Sequence, residues 1–235
     1  MRVLVIGGMH GNEPLGIEVA RLFEQKPVKN VDVVLANALA IEANSRFVGK
    51  DLNRSFPGDI NSNDYELRRA AQLLEVASKY DLALDFHNTY CPNNDCGFVG
   101  EAANNQLYDV AWFLGLDKIV VADYDCINKS ASNCLSVEIS LYSPLNKPEL
   151  WYERIKRLSV LETLSAKPKI KRYRFVYRIT LEDRDNLSLD QQKLEAFQPI
   201  DKELSKAMGV NAPAYPIFIG DKFTPYNYGG LLNSL

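Results

Sequence analysis

The sequence predicts an α/β protein of three layers, α/β/α around a central mixed sheet, with a small β-rich appendage at its C-terminal end. Three observations carry this reading. Apolar runs alternate with amphipathic helical patterns as far as residue 166, the tail from 167 onward alternates large apolar residues with polar ones, and 235 residues with 46% hydrophobic content can bury a sizeable core. The implied division is a first domain at 1–166 and a smaller one at 167–235 that caps it.

RVLVIGG (2–8) reads as a buried strand, and NEPLGIEVARLFEQ (12–25) follows with Leu15, Val19, Leu22 and Phe23 at helical spacing, stopped by Pro27. VDVVLAN (31–37) is a second strand. DYELRRAAQLLEVASKY (64–80) is a helix with Leu67, Ala71, Leu74 and Ala77 or Ser78 on one side. DLALDFHN is a third strand ending near His87, and CGFVGE, a helix over 103–114, DKIVVAD, NCLSVEIS and a closing helix over 150–166 continue the rhythm. Beyond it, Tyr173, Phe175, Tyr177, Ile179 and Leu181 alternate with basic or polar neighbours, an antiparallel strand pattern, and YPIFIG is a further strand. The basic run KPKIKRYR is read as a solvated strand edge. No internal repeat or low-complexity segment interrupts the chain.

Charge and cysteine usage narrow the class of function. Lys and Arg number 27 against 30 Asp and Glu, so no basic surplus exists to hold a phosphate backbone and nucleic acid is not an expected partner. MRVLVIGG is too short an apolar run for a signal segment or a membrane span, which leads to the expectation of a soluble cytoplasmic protein with no membrane partner. The four cysteines, at 91, 96, 126 and 134, show no CxxC spacing. Reduced thiols are expected, a Cys91–Cys96 bridge being the alternative.

Ligands in open α/β sheets gather at the carboxyl ends of strands, where loops converge. His10 and Glu13 follow the first strand, His87 closes the third, and Glu138 sits near the end of SVEIS. Two His and one carboxylate, with a fourth position left to water, match the ligand set of a catalytic zinc site. A lone His is more often a hydrogen-bonded core or surface residue, but here both His of the chain fall at strand ends beside carboxylates. Between them lies SRFVGKDLNRSFPGD (45–59), whose Arg46, Asn53 and Arg54 could grip a carboxylate or could simply be solvated loop residues.

GGMHGNE, KDLNRSFPG, LDFHNT and SVEIS together resemble four blocks of the succinylglutamate desuccinylase and aspartoacylase family, zinc amidohydrolases related to the zinc carboxypeptidases, over about residues 3–140. The resemblance implies a zinc carboxypeptidase-like fold and one zinc ion per chain held by His10, Glu13 and His87. It makes Glu138 the general base and acid, and Arg46, seven residues before Asn53, the group that polarises the scissile carbonyl. Asn53 and Arg54 would hold a substrate carboxylate, and Tyr124, fourteen residues before Glu138, would line the pocket. A tail Tyr after the Y-P-x-F block is also implied in substrate binding. Tyr226 is the candidate, while an ungapped count lands on Thr224 and Tyr228 stands nearby.

One position departs from the family pattern. Aspartoacylases carry an Arg ten residues before the catalytic Glu for the side-chain carboxylate of aspartate, whereas this chain has Asn128 with Lys129 beside it. N-acetylaspartate is therefore expected to be a poor substrate. The implied reaction is hydrolysis, by metal-activated water, of the amide bond of an N-acylated amino acid or similar small carboxylate. The competing readings are a metallocarboxypeptidase, an esterase on the same site, or a protein that binds metal or a small acid without turnover. Asp51 is read as a turn former ahead of an alternative role orienting a ligand His, Asn88 and Thr89 as pocket lining or loop caps, and a homo-oligomer is left open.

Overall fold

In the computed structural model, which describes residues 1–164 and 169–235, the apolar run after Arg2 forms β1 (Val3–Gly7), buried at every position. α1 (Pro14–Gln25) starts with Pro14 in its first turn and turns Leu15, Val19 and Phe23 inward. Asn12 and Glu13 stay outside the helix, in the turn that leaves β1. β2 (Val31–Leu35) lies parallel to β1, and the short α2 (Ala38–Glu42) follows, with the Asn37 side chain accepting from the Ala40 amide at 3.2 Å. A 3-10 turn spans Leu52–Arg54. α3 (Tyr65–Ala77) is capped by Asp64, whose carboxylate accepts from the amides of Glu66 and Leu67.

β3 (Leu82–Thr89) is buried throughout, and β4 (Cys96–Val99), α4 (Gln106–Phe113), β5 (Lys118–Val121), α5 (Ile127–Ser130), β6 (Cys134–Ser140) and α6 (Pro148–Ser159) complete this part. The tail supplies β7 (Lys171–Ile179), α7 (Leu181–Asn186), a 3-10 turn at Leu189–Gln191, α8 (Lys202–Ala207), β8 (Ala214–Ile217) and β9 (Gly229–Ser234).

The nine strands of the described residues join one mixed sheet in the order β2-β1-β3-β6-β4-β5-β7-β9-β8. Side chains alternate across it, so apolar residues of β1, β3 and β6 pack on both of its faces. Val3, Val5, Leu84, Phe86, Leu135 and Val137 face α1, α4 and α6, while Leu4, Ile6 and Ala83 face α3 and α5. This is the three-layer α/β/α arrangement that the sequence predicts. Trp151 of α6 is fully buried against Phe86 in an edge-to-face contact of 5.2 Å and donates from its indole N–H to the Leu145 carbonyl.

Several local expectations shift. α3 buries Ala70 and Leu73, one position round from the expected Leu67, Ala71 and Leu74, while Ala77 is buried as one of the two expected alternatives, because the tandem apolar pairs in AAQLLEVA leave the helical phase ambiguous. α6 ends at Ser159, with Val160 largely exposed, short of the expected residue 166. β7 is not purely antiparallel, since it runs parallel to β5 and antiparallel to β9 and so carries the tail strands into the same sheet. The expected boundary between residues 166 and 167 lies outside the described residues. Cys91, Cys96, Cys126 and Cys134 are buried and free, so no Cys91–Cys96 bridge forms. Among the described residues no helix is long and apolar enough to cross a membrane.

Candidate metal centre and substrate cleft

The polar site begins where the α3-facing side of the sheet runs out of apolar residues. Along β3 that face reads Ala83, Asp85, His87, and on β6, paired in parallel register, it reads Cys134, Ser136, Glu138. Alternation alone therefore stacks Asp85 beneath His87 and sets Glu138 directly across from His87. The other ligands arrive from the β1–α1 turn. There Gly8 takes φ +69°, a conformation that favours glycine, and a Cβ on Gly11 would lie 2.0 Å from the Ala40 carbonyl carbon of α2. The Glu13 amide donates to the His10 carbonyl at 3.3 Å, closing the turn that brings the two side chains together.

His10, Glu13 and His87 are all buried and offer ligand atoms within 4.8 Å of one another. Nδ1 of His10 lies 2.8 Å from Glu13 Oε1, and Nδ1 of His87 lies 2.9 Å from Glu13 Oε2. Each ring is fixed from behind through its other nitrogen, His10 Nε2 by Asp51 at 3.1 Å and His87 Nε2 by Asp85 at 2.8 Å. Carboxylates hold the far nitrogen of two His while the near nitrogens converge on a Glu, an arrangement that could hold a metal ion, and two His with one carboxylate is a donor set that fits zinc. Asp51 thus does more than form a turn. Its Oδ1 also accepts from the Asn53 amide, so one carboxylate shapes the loop and orients a His.

Arg46 bridges the same groups. Its Nε and Nη2 donate to Asp51 Oδ2, both at 3.2 Å, and its Nη1 donates to Glu13 Oε1 at 3.3 Å. Burial opposes each of these charges, but Glu13 and Asp51 outweigh it at Arg46 and hold its pKa up. The paired His and Arg groups likewise draw Glu13 and Asp51 below the usual carboxylate range despite their burial. Glu138 moves the other way. Burial, with the charges of Glu13 and Asp221 adding to it, pushes its pKa well up, while His87 and Arg46 pull against that rise.

The centre opens into a cleft at the carboxyl ends of β1, β3 and β6. Eight of the candidates read from sequence line it together, His10, Glu13, Arg46, Asn53, Arg54, His87, Tyr124 and Glu138. Asn53 is buried and its Oδ1 has no partner among the described residues, while the Arg54 guanidinium lies 4.6 Å over the Tyr124 ring. Asn88 also lines the cleft. It donates from its amide to Glu13 Oε2 at 3.1 Å and accepts from the Leu15 amide at the start of α1. Thr89 caps instead, its hydroxyl donating to Asp221 at 2.8 Å.

Two candidates stand apart. Asn128 is buried on α5 outside the cleft, donating to the Phe98 carbonyl at 2.8 Å with its Oδ1 2.7 Å from the Ser136 hydroxyl. A short amide there serves the backbone of β4 and the polar row under the site, and it makes no cleft contact. Tyr226 is half-exposed, and its hydroxyl reaches Asp51 Oδ2 at 3.4 Å without lining the cleft. Thr224 lines it, and Tyr228 is buried in a separate cluster with Ile179 and Leu231.

Sequence reading missed Asp85, although an Asp two residues before His87 in a strand buried on both faces is a usable signal, because period-two alternation puts both on one side. It also missed Phe175, Arg178, Phe218 and Asp221, which the tail brings to the cleft through long-range pairing that no local pattern announces. Asp221 is tied by the Thr89 hydroxyl and by the amides of Tyr90 and Phe223.

Comparison with known proteins gives a consistent picture. Residues 1–109 match the family model for the succinylglutamate desuccinylase/aspartoacylase catalytic domain. Over 104 residues the chain is 34% identical to an N-acyl-aromatic-L-amino acid amidohydrolase (carboxylate-forming) of Xenopus laevis, covering 37% of this chain and 34% of that protein. A probable aspartoacylase of Prochlorococcus marinus is 36% identical over 107 residues, 38% of this chain and 34% of the relative. These matches span about a third of the relatives' length. In fold, the chain is similar to succinylglutamate desuccinylase of Chromobacterium violaceum, with TM-score 0.74 at 17% identity over 99% of this chain and 84% of that one. It is also similar to murine aminoacylase 3, with TM-score 0.68 at 20% identity over 100% and 95%.

Proposed function

We propose, for a chain whose first 109 residues match the succinylglutamate desuccinylase/aspartoacylase catalytic domain, a zinc-dependent hydrolase that cleaves the amide bond of N-acylated amino acids or similar small carboxylates. The observation that carries this is the pairing of Glu138 with His87 across β3 and β6, which sets a carboxyl of raised pKa beside the His10–Glu13–His87 cluster. A metal centre that only stored an ion would have no use for a base there.

His10, Glu13 and His87 would hold one zinc ion, which when bound supplies Lewis-acid polarisation of the attacking water and the scissile carbonyl. Glu138 takes a proton from that water as its oxygen adds to the acyl carbon, and returns the proton to the amine nitrogen as the C–N bond breaks. Arg46, anchored through Asp51, turns Nη1 toward the centre and is the donor for the carbonyl oxygen as negative charge develops on it. Asn53, with its unpartnered Oδ1, and Arg54 are the substrate-carboxylate grip, and Tyr124 forms the wall beside them. The products are a carboxylic acid and a free amine. The tail side chains in the cleft support a capping role for residues 167–235 and favour small substrates over peptides. A cytoplasmic setting is supported by four buried, unpaired thiols.

The test is primary-amine release by zinc-loaded protein from a panel of N-acetyl, N-succinyl and N-aroyl amino acids, with short peptides and activated esters alongside and Glu138→Gln as control. Release from the N-acyl amino acids that disappears in the control is the expected result. Release from peptides or esters alone would overturn the amide-deacylase reading.

A further inference from the structure

Asn128 lies outside the cleft, yet it ends a buried polar row that leads back to the metal centre. Asp85 of β3 pairs with Ser136 of β6, two residues beneath the pair of His87 with Glu138. Asp85 Oδ2 lies 2.8 Å from His87 Nε2 and 3.0 Å from the Ser136 hydroxyl, and that hydroxyl lies 2.7 Å from Asn128 Oδ1. The Asn128 amide nitrogen donates to the carbonyls of Phe98 at 2.8 Å and Cys134 at 3.3 Å, which fixes its oxygen toward Ser136. All four side chains of the row are buried.

A serine hydroxyl has one proton to give, and here two acceptors face it. Given to Asp85, that proton would leave Asn128 Oδ1 buried with no other donor among the described residues, a costly state for a buried acceptor. Given to Asn128, it leaves Asp85 Oδ2 with the His87 N–H, so both acceptors are satisfied. The distances agree, at 2.7 Å against 3.0 Å. The Asp85 carboxylate, whose Oδ1 has no partner among the described residues, then serves His87 alone. A carboxylate that serves one N–H pulls harder on it than one shared between two donors. An imidazole held in this way is a stronger metal ligand through its other nitrogen.

We propose that Asn128 is a positioning residue of the metal centre: it holds the Ser136 hydroxyl, leaves Asp85 to His87, and so strengthens His87 as a ligand. The proposal rests on the reading of His10, Glu13 and His87 as a metal site. It also gives a use to the departure from the family pattern at position 128, where the resemblance leads one to look for an arginine. A guanidinium has no acceptor to offer Ser136, whereas the Asn128 amide has one.

Zinc affinity, measured by competition with a chelating dye, tests this without any substrate, and urea unfolding reports on the fold separately. Ser136→Ala removes the contested proton, leaves Asp85 to His87 as before, and is expected to keep zinc affinity within about twofold of the unsubstituted protein. Asn128→Leu, or Asn128→Ala should the larger side chain prevent folding, releases the proton to Asp85. Zinc binding is then expected to weaken roughly 3- to 10-fold, less than the 10- to 100-fold typical of losing a group that touches the ligand itself. Combining the substitutions at 128 and 136 should restore the affinity, although the Phe98 and Cys134 carbonyls stay unpaired and the urea midpoint stays low. A purely structural role predicts the reverse, a loss in the double variant at least as large as in the variant at 128 alone. That result, a loss above about threefold in Ser136→Ala, or unchanged affinity on substituting Asn128 overturns the role of Asn128 and leaves the metal site standing. No zinc bound by the unsubstituted protein overturns the metal site and the proposal together.

Discussion

Asp85 holds His87 through Nε2 at 2.8 Å, and it does so from inside the sheet, two residues earlier on the same strand, with no exposure to solvent. The ring is thereby fixed with Nδ1 toward Glu13, the arrangement that presents one nitrogen to a metal. Asp85→Asn keeps the shape and removes the charge. Zinc affinity, measured by competition with a chelating dye, is expected to fall about 10- to 100-fold. Unchanged affinity would show that strand geometry alone fixes the ring.

Glu138 is separable from metal binding because it faces His87 across the ladder and is not one of the clustered ligands. Glu138→Gln is expected to retain one zinc per chain by elemental analysis while kcat drops by about 10²- to 10⁴-fold, the usual contribution of a positioned acid–base group. Loss of zinc together with activity would make Glu138 a ligand rather than a base.

The β1–α1 turn tolerates no side chain at Gly11, where an added Cβ would sit 2.0 Å from the Ala40 carbonyl carbon and 2.1 Å from its oxygen. Backbone atoms cannot rotate away as a side chain could, so the turn itself must move, and His10 and Glu13 move with it. Gly11→Ala is expected to cost about 3 kcal/mol in urea unfolding, the upper end of overpacking penalties, and to weaken zinc binding at the same time. A stable variant with intact zinc affinity would mean that α2 gives way instead.

How much of this was legible in the sequence depends on range. The HGNE turn, the Asp51–Arg54 loop and the strand ending at His87 are local, and each of them carries its spacing on its face. His10, Glu13, His87, Arg46 and Glu138 were accordingly readable, and they meet in one cleft. Asn128 is singled out by the family resemblance through its spacing from Glu138, but spacing cannot tell whether a side chain ends in a cleft or under a strand, and here two carbonyls and a serine hydroxyl claim it. The tail was harder. Whether β7 extends the main sheet depends on pairing with β5, some fifty residues earlier, and the bulge that turns Arg178 inward is a two-strand property invisible in either strand alone.

The tail also contains a titratable cap whose pH dependence has a definite sign. Thr180 and Asp183 form a reciprocal cap at the start of α7, with the Thr180 hydroxyl accepting from the Asp183 amide at 3.0 Å and Asp183 Oδ2 accepting from the Thr180 amide at 2.8 Å. Burial nudges the Asp183 carboxyl upward, but the hydrogen bonds from Thr180 and from the Tyr177 hydroxyl outweigh it and hold the pKa below its ordinary value. A carboxyl with a folded-state pKa lower than its unfolded one stabilises the fold above the unfolded value, near 4 for Asp, and this contribution fades as pH falls through the folded value. Asp183→Asn is therefore expected to lower stability by about 0.5–2 kcal/mol at pH 7, and the gap to the unsubstituted protein should close as pH drops below about 4. Urea midpoints across that range test it. A gap that stays constant with pH would assign the effect to shape, with no contribution from the Asp183 charge to the cap.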